Sequence, residues 1–172
     1  MATRDATDDA GAPQPLFLPG VPGDAILARY ARAPGQEQHR LASPQSSAFL
    51  AANAFGFFLG RLDLLPPLPG LEALDWPARS IALEEEMRFP WAGGRHPWLD
   101  VVLATAGHLI GIESKRFEPF RPHAPGSFSA AFVREGTWSP GMRPFQAMLD
   151  GACAGFRHLD ATQLVKHALG LG

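Results

Sequence analysis

Three charged side chains interrupt apolar runs between His96 and Phe120: Asp100, Glu113 and Lys115. Asp100 sits between Trp98-Leu99 and Val101-Val102-Leu103, while Glu113 and Lys115 follow Leu109-Ile110-Gly111-Ile112. Desolvating a charge costs on the order of several kcal/mol unless it is paired or bound to a cation. Two carboxylates with an ammonium beside them are a set of groups that can hold a hard divalent ion. Carboxylate oxygens favour Mg²⁺, with Mn²⁺ and Ca²⁺ as alternatives. Such an ion lowers the pKa of a bound water and polarises a phosphoryl oxygen. A lysine beside it orients or helps deprotonate that water, or stabilises the charge that develops on the phosphate.

The spacing suggests how these groups meet. Trp98–Ala104 and Leu109–Phe117 read as two strands joined by a two-residue turn at Ala106-Gly107. Thr105 then faces His108, and Asp100 falls opposite Glu113, with Cβ atoms roughly 4.5–5.5 Å apart. Carboxylates that close repel unless a proton or a metal ion lies between them. Lys115, two residues beyond Glu113, projects from the same strand face.

Asp100, a dozen residues and then Glu113-Ser114-Lys115 at the end of an apolar strand resembles the PD-(D/E)XK nuclease superfamily. The likeness runs from about Ser43 to Gly170, through SPQSSAFLAANAFGFFL, RFPWAGGRHPWLD, IESKRFEPFR and LDATQLVKHALGL. Together these look like an uncharacterised bacterial branch of that superfamily. The resemblance implies a restriction-endonuclease-like core of the α/β (α+β) class, and a metal-dependent enzyme cleaving phosphodiester bonds of DNA, or of RNA. It implies Asp100 and Glu113 as ligands of Mg²⁺ or Mn²⁺, Lys115 as the catalytic lysine, and a further glutamate from Glu84-Glu85-Glu86. It favours Glu84, whereas strand alternation groups Glu85 with Ile81, Leu83, Met87 and Phe89. In its exonuclease branch a glutamine, with an aromatic residue four positions later, lies on the helix after the Glu-x-Lys strand. That helix position is Gln163 here, and His167 takes the aromatic's place. The superfamily core ends in a fourth strand beside the third. Leu169-Gly170-Leu171-Gly172 follows the candidate last helix directly, so the expectation is a three-stranded mixed sheet flanked by helices, truncated before the fourth strand. Such an open edge invites self-association. The alternative is a catalytically inactive nuclease-fold module that binds nucleic acid or protein.

Several elements must position these groups. Residues 1–22, rich in Asp, Ala, Pro and Gly, lack periodicity and the pattern of a signal peptide, and read as disordered. Residues 23–172 suit a single domain. Asp24–Arg32 forms a short helix. Ser43 then caps a second, with Pro44 at its first position, running to Arg61. Its apolar stretch, Ala48–Leu59, is too short for a bilayer, so it belongs to a core rather than a membrane. Ile81–Phe89 is the strand that leads into the hairpin. Pro90–Pro97 connects the two, and His96 within it reads as structural. From Glu118 to about Pro140 the chain is irregular and carries Arg121, His123, Arg134 and Trp138. With Arg116 these have the chemistry to meet phosphates and stack on bases, though an ordinary solvated loop explains them better. Arg116, Arg121 and Gln163 are the candidate substrate contacts. Arg143–Phe156 and Asp160–Leu171 read as helices, the second capped by Asp160.

A net charge of −2 does not by itself mark a nucleic-acid binder. Its distribution is uneven: residues 41–114 hold four basic and eight acidic groups, and residues 115–172 hold seven and four. The basic excess follows the candidate ligands, which is compatible with a phosphate backbone lying along the C-terminal part and also common in ordinary proteins. The single cysteine, Cys153, excludes an internal disulfide and the usual thiolate zinc site, fits a reducing cytoplasm, and reads as a packed thiol.

Overall fold

A computed structural model describes residues 15–33, 37–122, 126–149 and 156–172. The expectations for Cys153 and His123 fall outside these residues. The fold is mixed α+β, with a three-stranded sheet of β1 (Ser80–Glu86), β2 (Trp98–Ala104) and β3 (Leu109–Ile112) in the order β1-β2-β3. The helices are α1 (Gly23–Tyr30), α2 (Glu37–Leu41), α3 (Ser47–Gly56), α4 (Arg143–Ala147) and α5 (Ala161–Leu171). No described helix is long and apolar enough to cross a membrane.

Both strand pairs are antiparallel, so the expected mixed sheet is corrected. Short hairpin-like connections carry the chain from β1 to β2 and from β2 to β3, and parallel pairing would need longer crossovers. The β2–β3 register is the one that the two-residue turn requires. Ala104 faces Leu109, Val101 faces Ile112, and Thr105 N donates to His108 O at 2.9 Å. Asp75 clamps this turn from outside. Its Oδ1 accepts from Thr105 Oγ1 at 2.7 Å and lies 2.5 Å from His108 Nδ1. The hydrogen bond with His108, then that from Thr105, holds the Asp75 carboxyl well below the usual carboxylate range.

One sheet face supplies Leu83, Val101, Leu103 and Ile110 to a core completed by Ile26 and Tyr30 of α1 and by Ala48, Ala51 and Ala52 of α3. The alanines let α3 lie close against the strands. A second, smaller core gathers Val165 and Leu169 of α5 with Phe89, Phe132 and Trp138. Trp138, expected among the solvated loop residues, is buried there, and its indole N–H donates to Phe132 O at 2.7 Å. Burying a large ring stabilises by more than solvating it, provided that its N–H finds an acceptor.

Other boundaries moved for local reasons. Ser46, not Ser43, caps α3: its Oγ accepts from Phe49 N at 3.0 Å and donates to Arg40 O at 2.5 Å. Ser43-Pro44 instead forms a turn that ends at Ser46, whose N–H donates to Ser43 O. The third strand stops at Ile112 rather than Phe117, because the amides beyond it bond to carboxylates. Ser114 N donates to Asp100 Oδ2 at 2.5 Å, and Arg116 N and Phe117 N donate to Glu118 Oε2 at 2.9 and 3.0 Å. Of the N-terminal segment expected to lack structure, residues 15–22 are held. Leu18 N donates to Asn53 Oδ1 at 2.7 Å, and Phe17 and Val21 pack on the first core.

Helix α5 closes on the sheet through a glycine. A Cβ on Gly170 would lie 2.7 Å from Met87 Cβ and 3.3 Å from Pro97 Cγ, so the helix approaches this closely only without one. Gly170→Ala is expected to destabilise by about 1–3 kcal/mol through overpacking. Chemical denaturation with an unchanged m-value checks this.

Candidate carboxylate centre

Consecutive strands bring the predicted residues together in one row. The pairs Leu83–Val101 and Glu85–Leu99 set Glu84 against Asp100, and the pair Val101–Ile112 sets Asp100 beside Glu113. Glu84, Asp100, Glu113 and Lys115 line one cavity of about 290 Å³, together with Glu37 of α2 and Gln163 of α5. Lys115 Nζ and Gln163 Nε2 both donate to Glu113 Oε1, at 2.7 and 2.8 Å. His167, one turn further along α5, presents Nδ1 to Glu113 Oε2 at 3.7 Å. The shared helical face of Gln163 and His167 is therefore turned toward Glu113. Asp160 sets its start, its Oδ1 accepting from Gln163 N at 2.8 Å.

Glu84 is 3% exposed and has φ 47°, in the left-handed region that residues with a Cβ seldom occupy. This conformation interrupts the regular pleat, so a period of two does not set the direction of its side chain. Glu85, which alternation grouped with the apolar residues, pairs with Arg29 of α1. Arg29 Nε also donates to Leu83 O at 2.7 Å, bracing the backbone just before Glu84. Holding a non-glycine residue in this region costs about 1–3 kcal/mol, and such strain concentrates at functional sites.

Charge at the centre is unbalanced. Five carboxylates (Glu37, Glu84, Asp100, Glu113, Glu118) and two cations (Arg40, Lys115) line the cavity. Arg40 pairs with Glu37 and Lys115 with Glu113, so among the described residues neither Glu84 nor Asp100 makes a salt bridge, although the Lys115 charge attracts Asp100. Burial, then repulsion from Asp100, pushes the Glu84 carboxyl up to about 8. Burial, then repulsion from Glu113, pushes Asp100 up to about 7, against the opposing hydrogen bond from Ser114 N. The Tyr30 hydroxyl, within reach of Glu84 and 3.3 Å from Ala48 O, is raised by burial and by the Glu84 charge. Burial lowers His167, and the Glu113 charge opposes that shift.

Two predicted contacts lie apart from the row. Arg116 donates to Pro44 O and stacks over the Phe117 ring, which ties the end of β3 to the turn before α3. Arg121 is exposed and lines a neighbouring cavity of about 460 Å³ that also reaches Glu113 and Lys115. His96, read as structural, accepts on Nδ1 from Phe89 N at 3.1 Å and also lines a cavity of about 760 Å³. Glu37 and Tyr30 went unnoticed in the sequence. Glu37, three residues before Arg40, has the spacing of any solvated helical ion pair. Tyr30, the one tyrosine of the chain, carried no pattern at all.

The donor set fits a hard cation. Buried carboxylates without a counter-charge are what such an ion neutralises, and Mg²⁺ needs one or two of them, taking its other oxygens from water and phosphate. Among the described residues, however, no group of three or more His, Cys, Asp or Glu side chains is placed so that it could hold a metal ion. No family model, curated protein or solved structure matches the chain.

Proposed function

We propose that this chain is a metal-dependent nuclease that hydrolyses phosphodiester bonds of DNA, or of RNA, on a restriction-endonuclease-like core. One observation carries the reading: Glu84 on β1, Asp100 on β2 and Glu113 just past the end of β3 line one cavity, with Lys115 bonded to Glu113. Asp100 and Glu84, with Glu113 beside them, would hold Mg²⁺ or Mn²⁺. When bound, that ion supplies a water of lowered pKa and polarises the scissile phosphate. Lys115, fixed by Glu113 Oε1, stabilises negative charge that develops on the phosphate or orients the attacking water. Gln163, bonded to the same oxygen, keeps Glu113 turned into the cavity. The Asp100 carboxylate is itself positioned by Ser114 N, the backbone group between Glu113 and Lys115. Ligand and lysine positions are thus set by one short stretch of chain.

Lys115→Ala is expected to lower metal-dependent cleavage about 10²–10³-fold, the size of losing one preorganised electrostatic contact. Mn²⁺ binding by calorimetry should persist in that variant. Equal turnover by the wild type and Lys115→Ala would remove the lysine from the mechanism. A non-catalytic binding module is the second reading, because among the described residues no group of three or more His, Cys, Asp or Glu side chains could hold a metal ion. It predicts Mn²⁺ or nucleic-acid binding with no turnover under any condition.

A further inference from the structure

Three cavities meet along one face of α5, and Gln163 lines all of them. The largest, about 760 Å³, opens beside the carboxylate row, and Trp98 lines both. Its apolar side is aromatic: Phe89, Phe128 and Phe132 pack against one another, with the Phe128 and Phe132 centroids 5.1 Å apart and those of Phe89 and Phe132 5.2 Å apart. Its polar side carries Arg95 and Lys166, and Lys166 Nζ stands 5.7 Å from the centre of the Phe128 ring. Phe128 is half-buried and Arg95 exposed, and both line this cavity. On the far side of the row, the cavity of about 460 Å³ continues past Lys115 to Arg121.

A strand crossing the row would find an aromatic wall with cations beside it, then the carboxylates, then Lys115 and Arg121. Duplex DNA cannot use this arrangement, because its base faces are stacked inside the helix and only its phosphates face outward. A single strand presents both groups: phosphates to lysine and arginine, and unstacked bases to the rings. We infer that the substrate is a single-stranded nucleic acid, seated across the carboxylate row with a base in the aromatic cavity against Phe128 and a phosphate at Lys166. The inference rests on the nuclease reading for the strand's place across the carboxylate row, but its binding component stands without turnover.

The test uses fluorescence anisotropy with a short labelled oligothymidylate, the matching oligouridylate and a duplex of equal length. The full chain carries Asp100→Asn so that nothing is cut, and Mg²⁺ is present. Single strands are expected to bind at least tenfold more tightly than the duplex, and the DNA and RNA arms identify the preferred sugar. Phe128→Ala should weaken single-strand binding about tenfold, the effect of one lost base–aromatic stack. Lys166→Ala should reduce the slope of log affinity against log salt by about 0.7, one phosphate contact on a single strand. Equal or tighter duplex binding overturns the inference, as does single-strand binding that neither variant changes. Cleavage by the wild type without single-strand preference would sink this inference and leave the nuclease reading standing. Single-strand binding that depends on Phe128 and Lys166, with no cleavage by the wild type, would do the reverse.

Discussion

Asp100→Asn is expected to abolish metal-dependent cleavage, by at least about 10³-fold, and at the same time to make the metal-free protein more stable. The two effects have one cause. Asp100 is largely buried, stands between Glu84 and Glu113, and makes no salt bridge among the described residues, the attraction of Lys115 being outweighed by burial and by Glu113. Its charge is therefore a burden on the fold unless a cation is present. Asparagine keeps the acceptor that Ser114 N needs and removes the charge. In chelator at pH 8 the gain should be about 1–3 kcal/mol, well under the full effect of the raised pKa because neighbouring groups relax. Thermal unfolding with and without chelator, set beside cleavage rates of the same samples, checks both halves. A variant that is destabilised in chelator would mean that Asp100 is a structural carboxylate satisfied by its neighbours.

The second large effect is a stability that falls as pH rises. Glu84 and Asp100 titrate near 8 and 7 in the folded chain, against ordinary values of 4.5 and 3.8. Between about pH 4 and pH 8 the native state therefore binds more protons than the unfolded one. Unfolding free energy decreases with pH in that window, by up to about 1.4 kcal/mol per pH unit for each proton involved. The contribution is complete below the unfolded values and is lost as pH passes the folded ones. This is opposite to a hydrogen-bonded carboxylate such as Asp75, whose lowered value makes its contribution fail in acid. Mg²⁺ or Mn²⁺ at millimolar concentration should restore the lost stability near pH 8 and do little near pH 5, where protons hold the same oxygens. A flat melting profile across pH 5–8 in chelator, unchanged by Mn²⁺, would show that these carboxylates are not held apart from a counter-charge.

Much of the centre was legible because a hairpin is a local object. Once Ala106-Gly107 is taken as the turn, the opposition of Asp100 and Glu113 follows by counting, and so does the face of Lys115. The Asp160 cap and the shared face of Gln163 and His167 were legible for the same reason, since helix period and cap chemistry act within a few residues. What could not be read depended on distant partners. Glu84 lines the cavity through a left-handed backbone that no local pattern announces, braced at Leu83 by Arg29 more than fifty residues earlier. Glu37 and Tyr30 reach the row only because α1 packs on β1 and α2 packs on α1 and α3. The end of β3 depends on whether its amides find a ladder or a carboxylate, and a strand pattern does not record the carboxylates. Trp138 carried a loop's neighbours and a core's side chain, and the core prevailed.

The measurement that tests the central claim most directly is cleavage of circular duplex DNA, single-stranded DNA and RNA with Mg²⁺ or Mn²⁺, comparing the folded wild type with Asp100→Ala. The carboxylate centre predicts metal-dependent cutting of at least one substrate by the wild type and none by the variant. No cutting by wild-type protein shown to be folded, or cutting that Asp100→Ala leaves unchanged, would contradict it.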